Sequence, residues 1–336
     1  MITVNRRLAQ PPLPRWQQLW REAVTDPLEL LRLVGLEQHA RRLLPAGDTG
    51  FPLRVPRGFI ARMQTGNPDD PLLLQVLPQV AENLPQPGFV HDAVGDAAAR
   101  SAHGVLQKYA GRALLITTGS CAVNCRYCFR RHFPYADETA AANGWRAALA
   151  AIATDTTVTE VILSGGDPLS LSDAKLAELG SALVAIPHVR RLRIHTRLPV
   201  VMPERVDAAF AAWLAALPLQ KVVVLHANHA NELDASVDVA CARLRDAGCT
   251  LLNQAVLLRG INHSATALTA LSERLFAAGV LPYYLHQLDR VLGAAHFEVT
   301  DAEALALIAA LRHSLPGYLV PRLVREVAGE PAKTPL

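Results

Sequence analysis

Apolar, β-branched runs recur along most of the chain, and segments with helical periodicity separate them. The runs begin at residues 113, 160, 189, 221, 250 and 281, and short apolar runs of this kind are typical of buried strands. The helical segments are rich in Ala and Leu and cover residues 172–186, 204–217, 232–247, 265–278 and 301–313. This alternation predicts the α/β class, with six βα units in a parallel, partial (β/α)6 barrel.

The first 110 residues follow a different pattern. Helical patches near residues 16–34 and 92–107 are interrupted by Pro- and Gly-rich turns at 66–71 and 83–88, and these residue types end regular structure. We therefore expect an N-terminal helical cover over residues 1–110, the partial barrel over 111–316 and a C-terminal extension over 317–336. Within the extension, residues 318–327 resemble an extended segment and residues 329–336 a loop.

The composition is that of a compact globular protein. Of 336 residues, 51% are hydrophobic and 19% are charged, which excludes disordered and coiled-coil proteins because both need more charge. The formal net charge of +3 is too small to require a nucleic acid partner. The sequence shows no signal-peptide pattern and no apolar stretch of membrane-spanning length. We therefore expect a cytoplasmic protein with no membrane partner.

Polar clusters follow the predicted strands, at the points where the strands end. They lie at residues 117–128, 164–167, 195–197, 226–229, 253–254 and 286–289. In parallel barrels the reacting groups come from the carboxyl ends of several strands. The clusters therefore predict a single site enclosed by the barrel.

Three cysteines lie in one short loop after the first predicted strand, in the pattern C-x3-C-x2-C: Cys121, Cys125 and Cys128. Three thiolates at this spacing can hold three irons of a 4Fe-4S cluster and leave the fourth iron open to another ligand. The alternative is a structural zinc site with three cysteines and His132, which lies four residues after Cys128. The two remaining cysteines, at 241 and 249, fit reduced thiols of the core.

The cysteine loop and a series of further motifs together resemble a known family. The motifs are CRYCFRRHF (125–133), LSGGDPL (163–169), HTRLPVVMPERV (195–206), HANHANEL (226–233), NQAVLLRGIN (253–262), PYYLHQLDRVLGAAHF (282–297) and GEPAKTPL (329–336). In this order, they are similar to the lysine 2,3-aminomutase family of the radical S-adenosylmethionine superfamily. With TGNPDDPLLLQVLP (65–78), the similarity covers residues 60–336. The resemblance implies an isomerase that converts α-lysine to β-lysine with a 4Fe-4S cluster, S-adenosylmethionine and pyridoxal phosphate.

The resemblance also implies which residues bind these cofactors. The three loop cysteines match the ligands of the iron–sulfur cluster. Residues that match the S-adenosylmethionine site are Ser164, Gly165, Gly166, Asp167, His226 and Gln254. Lys333 matches the lysine that binds pyridoxal phosphate covalently, and Arg112 matches a contact to the same cofactor. Within the barrel mouth, desolvation would make the Lys333 amine nucleophilic.

Three further residues match the family's substrate contacts. Arg130 occupies the position whose planar guanidinium binds the substrate carboxylate. Asp289 and Glu326 match two acids that hold the ε-ammonium group of lysine, although catabolic members carry Asp at the position of Glu326. Two neighbouring arginines, Arg126 and Arg131, are expected to be solvated or to lie beside the cluster.

One branch of the family supplies (R)-β-lysine for the modification of elongation factor P, and the chain resembles this branch. Ser264 stands where catabolic members carry a zinc-binding cysteine, and the sequence ends three residues after Lys333. The implied partners are L-lysine, an external electron donor and, indirectly, elongation factor P with its lysyl ligase.

Other functions remain open at this point. A catabolic or osmolyte-forming lysine 2,3-aminomutase is one, and a related mutase acting on glutamate or arginine is another, although two acids at the substrate site argue against glutamate. From a different class comes a zinc-stabilised RNA-binding protein that uses residues 190–197 as a basic strip. No interleaved aromatic residues support base stacking there.

Overall fold

The computed structural model describes residues 13–135, 139–140 and 145–336. Residues 1–12 of the predicted cover lie outside the described residues. The α-helices, in chain order, are α1 (Arg15–Arg21), α2 (Pro27–Leu33), α3 (Ala40–Leu43), α4 (Arg57–Ile60), α5 (Arg146–Thr154), α6 (Asp173–Val184), α7 (Leu198–Val201), α8 (Ala208–Ala216), α9 (Ala235–Asp246), α10 (Ala265–Ala277) and α11 (Asp301–Ser314). Short 3-10 helices add Glu37–His39, Val80–Asn83, Pro168–Ser170, Pro203–Arg205, Ala230–Glu232, Ala295–Phe297 and Gly317–Leu319.

Ten strands form one sheet, in which the spatial order follows the sequence order. They are β1 (Arg100–Ala102), β2 (Val105–Leu106), β3 (Arg112–Thr118), β4 (Glu160–Gly165), β5 (Arg191–Thr196), β6 (Gln220–Leu225), β7 (Cys249–Val256), β8 (Leu281–His286), β9 (Arg322–Arg325) and β10 (Thr334–Pro335). Strands β3 to β9 are parallel, and β1, β2 and β10 pair antiparallel at the two edges. The sheet does not close, so the predicted α/β partial barrel is confirmed.

The predicted repeat of strand and helix is present, and local signals fix the helix starts. Thr300 caps α11 in a capping box with Glu303, and Asp234 caps α9 by accepting hydrogen bonds from two backbone N–H groups. Along β7, buried and more exposed positions alternate, because successive side chains of a strand point to opposite faces. Both signals are local, and this explains why the βα units can be predicted from the sequence.

The helix predicted over residues 92–107 is wrong. The chain forms turns there and then the two short strands β1 and β2. Gly104 has a φ of +73°, a left-handed conformation that turns the chain between the strands. The Asp92 side chain accepts hydrogen bonds from the backbone N–H groups of Asp96 and Ala97, which competes with helix formation.

The end of the chain is more ordered than a loop. Residues 322–325 of the predicted extended segment form β9, which continues the parallel sheet beside β8. The final residues turn back as β10, where Thr334 pairs with Arg325 and Pro335 with Val324. This return fixes the position of Lys333 over the carboxyl end of the sheet.

The N-terminal residues pack on the barrel through the main hydrophobic core. Trp16, Leu30, Leu31 and Phe59 are buried in the same cluster as the strands. A second, smaller apolar cluster lies around Tyr127 of the cysteine loop. In the part of the chain that the structure describes, no helix is both long and apolar enough to cross a membrane.

Candidate functional site

One cavity of about 510 Å³ lies at the carboxyl ends of the parallel strands. Its lining includes every site residue that the sequence predicts: Arg112, Cys121, Cys125, Cys128, Arg130, Ser164, Gly165, Gly166, Asp167, His226, Gln254, Asp289, Glu326 and Lys333. The volume lies within the range of about 300–1,000 Å³ that is usual for small-molecule sites. Residues up to 221 positions apart, from Arg112 to Lys333, therefore meet in one place.

The cysteine loop follows β3 directly and is tied to the N-terminal cover. The backbone N–H of Asn124 donates to the carbonyl of Arg54, and that of Arg126 donates to the carbonyl of Gln75. Burial, reinforced by nearby acidic groups, raises the pKa of Cys121, and burial raises the pKa of Cys128 to about 11. Metal binding to such thiols must therefore release protons.

The zinc alternative finds no support in the position of His132. Its Nε2 lies 3.2 Å from the carbonyl oxygen of Leu292, and its ring lies against that of His91. His132 is not part of the cavity lining that contains the three cysteines. Among residues 13–135, 139–140 and 145–336, no group of three or more His, Cys, Asp or Glu side chains could hold a single metal ion.

The basic strip at residues 190–197 is not a free cationic surface. It forms strand β5, where Arg191 and Arg193 both pair with Glu160 of β4. Arg197 at its end is buried. Three of the four arginines of this strip are therefore paired with acidic residues, and Arg190 is exposed.

Arg126 and Arg131 lie beside the cysteines, which is one of the two positions expected for them, and they are buried rather than solvated. Both pair with the fully buried carboxylate of Glu82, which comes from the N-terminal cover. Both also lie over the ring of Phe51. A buried carboxylate between two guanidinium groups is compensated by charge and hydrogen bonds. The cover thereby anchors the loop, and no local sequence signal marks this pairing.

A second buried group of polar side chains lies behind Cys125. We call it the cysteine-loop network; its members are Gln75, Tyr127, Arg197, Asn228 and Glu232. Arg197 contacts Cys125 and three members of the network: its Nη1 lies 2.6 Å from Cys125 Sγ and 2.8 Å from Tyr127 Oη. Its Nη2 donates to Gln75 Oε1 at 2.6 Å and to Glu232 Oε2 at 2.9 Å. Sequence reasoning assigned no role to these residues, although Arg197 and Asn228 lie in strand-end clusters.

His226 joins this network in its neutral form. Its Nε2 lies 2.8 Å from Tyr127 Oη, and the two rings are stacked. Burial, with the positive charge of Arg197, lowers the pKa of His226 to about 3. Gln254, the other residue matched to the S-adenosylmethionine site, lines the same cavity from β7.

The two glycines at the end of β4 allow the cysteine loop to approach closely. A Cβ on Gly165 would lie 2.8 Å from the Thr118 carbonyl oxygen, and one on Gly166 would lie 2.5 Å from that of Ser120. The backbone N–H of Gly166 donates to Thr118 at 2.7 Å. The close approach in this structure is therefore between backbone segments of the protein.

Asp167 organises the neighbouring turn. Its carboxylate accepts hydrogen bonds from the Thr196 hydroxyl and from the backbone N–H groups of Leu169, Arg197 and Leu198. Burial raises the pKa of this carboxyl, although these hydrogen bonds act in the opposite direction. Through this turn, the acid holds Arg197 in place.

Opposite charges are paired at the other predicted cofactor site. We call this group the lysine network; its members are Asp96, Lys108, Glu326 and Lys333. Lys333 Nζ lies 2.6 Å from Glu326 Oε2, and Lys108 Nζ lies 2.8 Å from Asp96 Oδ1 and 3.6 Å from Glu326 Oε1. Two predicted site residues, Glu326 and Lys333, are thus ion-paired with each other. Asp96 and Lys108 join them without having been predicted; Asp96 lies within the segment 92–107 that was wrongly predicted as a helix, and Lys108 follows it.

Aromatic groups complete the lysine network. Tyr109 Oη donates to Glu326 Oε1 at 2.7 Å, and the Arg112 guanidinium lies over the Tyr109 ring, 5.1 Å from its centroid. The Lys333 amine lies 5.8 Å from the centroid of the Tyr284 ring. Glu326 is partly buried, and although burial opposes ionisation, the charge of Lys333 and its hydrogen bonds keep its pKa low.

Arg130 is buried and connects the lysine network to the end of β4. Its Nε donates to Asp96 Oδ2 at 2.7 Å, and Nη1 donates to the Ser164 hydroxyl at 3.1 Å. The ring of Phe129 lies under the guanidinium. These contacts fix the plane of the guanidinium in the cavity wall.

Asp289 differs from Asp96 and Glu326, the acids of the lysine network, whose pKa values are lowered. Burial raises its pKa to about 7, and the charge of Glu326 adds to this effect while Lys333 opposes it. Two histidines in the same wall, His195 and His286, carry a buried Nε2 with no hydrogen-bond partner in the described part of the chain. Buried polar atoms without partners are rare in folded proteins, so this wall is suited to contact a polar ligand.

Comparison with known proteins shows the family of the chain. Residues 115–269 match the family model of the radical SAM superfamily. The chain is 50% identical to L-lysine 2,3-aminomutase of Escherichia coli, over 100% of this chain and 97% of that protein. It is 46% identical to the Haemophilus influenzae protein of the same name, over 98% of both chains, and 31% identical to that of Clostridium subterminale, over 96% of this chain and 77% of that protein. The chain therefore belongs to the L-lysine 2,3-aminomutase family within the radical SAM superfamily.

Proposed function

We propose that this protein is an L-lysine 2,3-aminomutase, which moves the α-amino group of L-lysine to the neighbouring carbon and yields (R)-β-lysine. The observation that carries the proposal is the single cavity in which a cysteine triplet, Lys333, a buried guanidinium and two carboxylates meet. Family membership implies three cofactors: a 4Fe-4S cluster, S-adenosylmethionine and pyridoxal phosphate.

The donor groups of the cavity fit these cofactors. The three loop cysteines would hold the cluster, and the partnerless Nε2 atoms of His195 and His286 offer polar contacts to a ligand. Lys333 would hold pyridoxal phosphate. When bound, the cluster and S-adenosylmethionine supply a radical that abstracts hydrogen, and pyridoxal phosphate stabilises the rearranging substrate radical.

The protein's own groups bind and orient the substrate. Arg130 presents its guanidinium, already fixed by Asp96 and Ser164, to the carboxylate of lysine. A side chain held in advance loses little freedom on binding, so more of the interaction appears as affinity and alignment. This fixes one end of the substrate.

Two acids receive the other end. Asp289 and Glu326 line the same cavity, and a pair of carboxylates favours a cationic side chain over an anionic one. This supports lysine rather than glutamate as the substrate. Glu326 in place of the family's Asp adds one methylene and retains the charge.

Lys333 has two roles that exclude each other. In this structure its ammonium is the partner of Glu326, as the ε-ammonium of the substrate would be. When Lys333 holds pyridoxal phosphate, its nitrogen would no longer be a free ammonium beside Glu326, and this carboxylate would be available to the ammonium of the substrate. Tyr109 continues to orient the Glu326 carboxylate through its hydrogen bond.

We propose further that the β-lysine is used for elongation factor P, through a separate lysyl ligase, and that an external electron donor reduces the cluster in the cytoplasm. Two observations support this. Ser264 serves as the N-cap of α10, accepting a hydrogen bond from the Ala267 N–H, where catabolic members carry a zinc-binding cysteine. All five cysteines are free thiols, which fits a reducing compartment.

The test is anaerobic incubation of the purified protein with dithionite, S-adenosylmethionine and L-lysine, followed by chromatography of the amino acids. The proposal expects (R)-β-lysine from the wild type and none from Lys333→Ala. The exposed Lys175→Ala variant serves as the matched control and keeps activity. Adding elongation factor P and its ligase tests the finer proposal, which expects β-lysine to form first as the free amino acid and then to appear in hydrolysed elongation factor P. Unchanged lysine from the wild type contradicts the proposal.

A further inference from the structure

Arg197 lies against one of the three loop cysteines and has no role in the proposed substrate contacts. We propose that Arg197 tunes the iron–sulfur cluster: it donates an N–H to the sulfur of Cys125 and raises the reduction potential of the cluster. The inference rests on the proposed binding of a 4Fe-4S cluster by the cysteine loop. It assigns a positioning role to a residue that touches a cluster ligand.

The contact is specific to one cysteine. Arg197 Nη1 lies 2.6 Å from Cys125 Sγ, whereas Cys121 and Cys128 receive hydrogen bonds from the backbone N–H groups of Asp167 and Arg130. Among these three interactions, only the one to Cys125 comes from a charged side-chain donor. Charge-assisted hydrogen bonds are roughly twice as strong as neutral ones.

The surrounding residues leave Arg197 little freedom. Glu232 and Gln75 accept from its Nη2, at 2.9 and 2.6 Å, and its guanidinium lies over the rings of Phe59 and Tyr127. Its own backbone N–H donates to the carboxylate of Asp167. Only 6% of the Arg197 surface is exposed, so water does not screen the charge.

The effect on the cluster follows from electrostatics. Reduction adds one negative charge to the iron–sulfur unit, and a positive donor at a ligand sulfur stabilises the more negative state. Hydrogen bonds to cluster sulfurs and the local charge are among the factors that set these potentials. Arg197 therefore makes the cluster easier to reduce.

The experiment is a redox titration of the reconstituted full-length protein, followed by electron paramagnetic resonance, in the absence of S-adenosylmethionine and lysine. At the wild-type midpoint potential half of the clusters are reduced. For Arg197→Gln we expect the ratio of reduced to oxidised cluster at that potential to fall about tenfold, which corresponds to about 59 mV for a one-electron couple. An unchanged midpoint overturns the inference.

A matched control separates this effect from the loss of any buried arginine. Arg205 is also fully buried, pairs with Asp173 at 2.8 Å and lies over the rings of Trp16 and Phe210. Arg205→Gln should lower stability and leave the midpoint potential unchanged. An equal shift in both variants overturns a specific role of Arg197.

Glu232→Gln decides the question if Arg197→Gln binds no cluster. It removes the negative charge that balances Arg197 and keeps the guanidinium, so the midpoint should rise; no rise overturns the inference. Failure of the proposed function is distinguishable, because it would appear as a wild-type protein that binds no 4Fe-4S cluster or that leaves L-lysine unchanged. An unshifted Arg197 variant of a cluster-containing protein contradicts this inference alone.

Discussion

The two polar networks of the cavity are built in different ways. In the cysteine-loop network each side chain has several neutral or charged partners, and the central ion pair, Arg197 with Glu232, is almost completely buried. The lysine network is more open: the Lys333 side chain is 23% exposed and that of Lys108 is 20% exposed. One network is closed to solvent, and the other can exchange partners.

This difference matches the work proposed for each network. A redox cluster needs a rigid, dry surrounding that changes little between oxidation states. Covalent binding of a cofactor and exchange of substrate need charges that can leave one partner for another. Lys333 and Glu326 pair with each other in this structure, and each is free to take a new partner when cofactor and substrate bind.

The largest effect is expected from the cysteine loop itself. Cys125→Ala removes one of three ligands, so iron content and the visible absorption of the reconstituted protein should fall to background. Cys241→Ala provides the control, because Cys241 is buried in the core away from the cavity and its loss should leave the iron content intact. Iron analysis measures both. Full iron content in Cys125→Ala would show that Cys125 is not required to hold the cluster, and it would contradict the separate roles proposed for the two networks.

Lys333→Ala should affect only the lysine network. We expect a full complement of iron, loss of the absorption of bound pyridoxal phosphate and loss of β-lysine formation, since Lys333 is the proposed covalent attachment. Absorption spectra with iron analysis test this. Retention of pyridoxal absorption and activity would show that the tail lysine is not the attachment site.

Asp96→Asn tests the support of Arg130. The hydrogen bond from Arg130 to a charged carboxylate contributes about 1.5–3 kcal/mol, so the lysine concentration for half-maximal rate should rise about tenfold or more, with a smaller change in the maximal rate. Steady-state kinetics separate the two. A fall in the maximal rate with no change in the lysine concentration for half-maximal rate would indicate that Asp96 does not act through substrate binding.

The pH dependence of lysine binding tests Asp289. Its pKa of about 7 means that the carboxyl is protonated below that pH and ionised above it. An ammonium group binds the ionised form, so affinity for lysine should increase as the pH rises through 7 and then level off. Titration calorimetry at several pH values measures this, and Asp289→Asn should flatten the profile. If the affinity of Asp289→Asn for lysine increased with pH in the same way, the pH dependence would belong to another group.

The smallest effect is expected outside both networks. Ser264→Ala removes the N-cap of α10 and should lower the free energy of unfolding by about 1 kcal/mol. Denaturant unfolding measures this, and β-lysine formation per cluster should stay unchanged. A loss of activity here would mean that Ser264 has a role beyond the helix cap.

The sequence predicts the barrel and the central site well because both rest on local signals. Strand periodicity, helix caps and the C-x3-C-x2-C spacing can each be read within a few residues. The family motifs then identify the residues that line the cavity. Ser164, His226 and Lys333 lie together as the order of the motifs implies.

Residues that act across the fold could not be predicted in this way. Asp96 lies in a segment that resembles a helix, and Glu82 and Gln75 follow no strand. Their partners are 34 to 122 positions away, and no local pattern encodes a pairing at that distance. Arg126 was expected to be solvated or to lie beside the cluster, since charged residues are usually exposed, and only the fold reveals the buried carboxylate of Glu82 that compensates it.

The most direct test of the central claim follows the nitrogen atom. L-Lysine labelled with ¹⁵N at the α-amino group is incubated anaerobically with the reconstituted protein, dithionite and S-adenosylmethionine, and the products are analysed by nuclear magnetic resonance. The proposed aminomutase predicts ¹⁵N on carbon 3 of β-lysine in the wild type and none there in Lys333→Ala. Label that stays on carbon 2, or that is released as ammonia, would contradict the account.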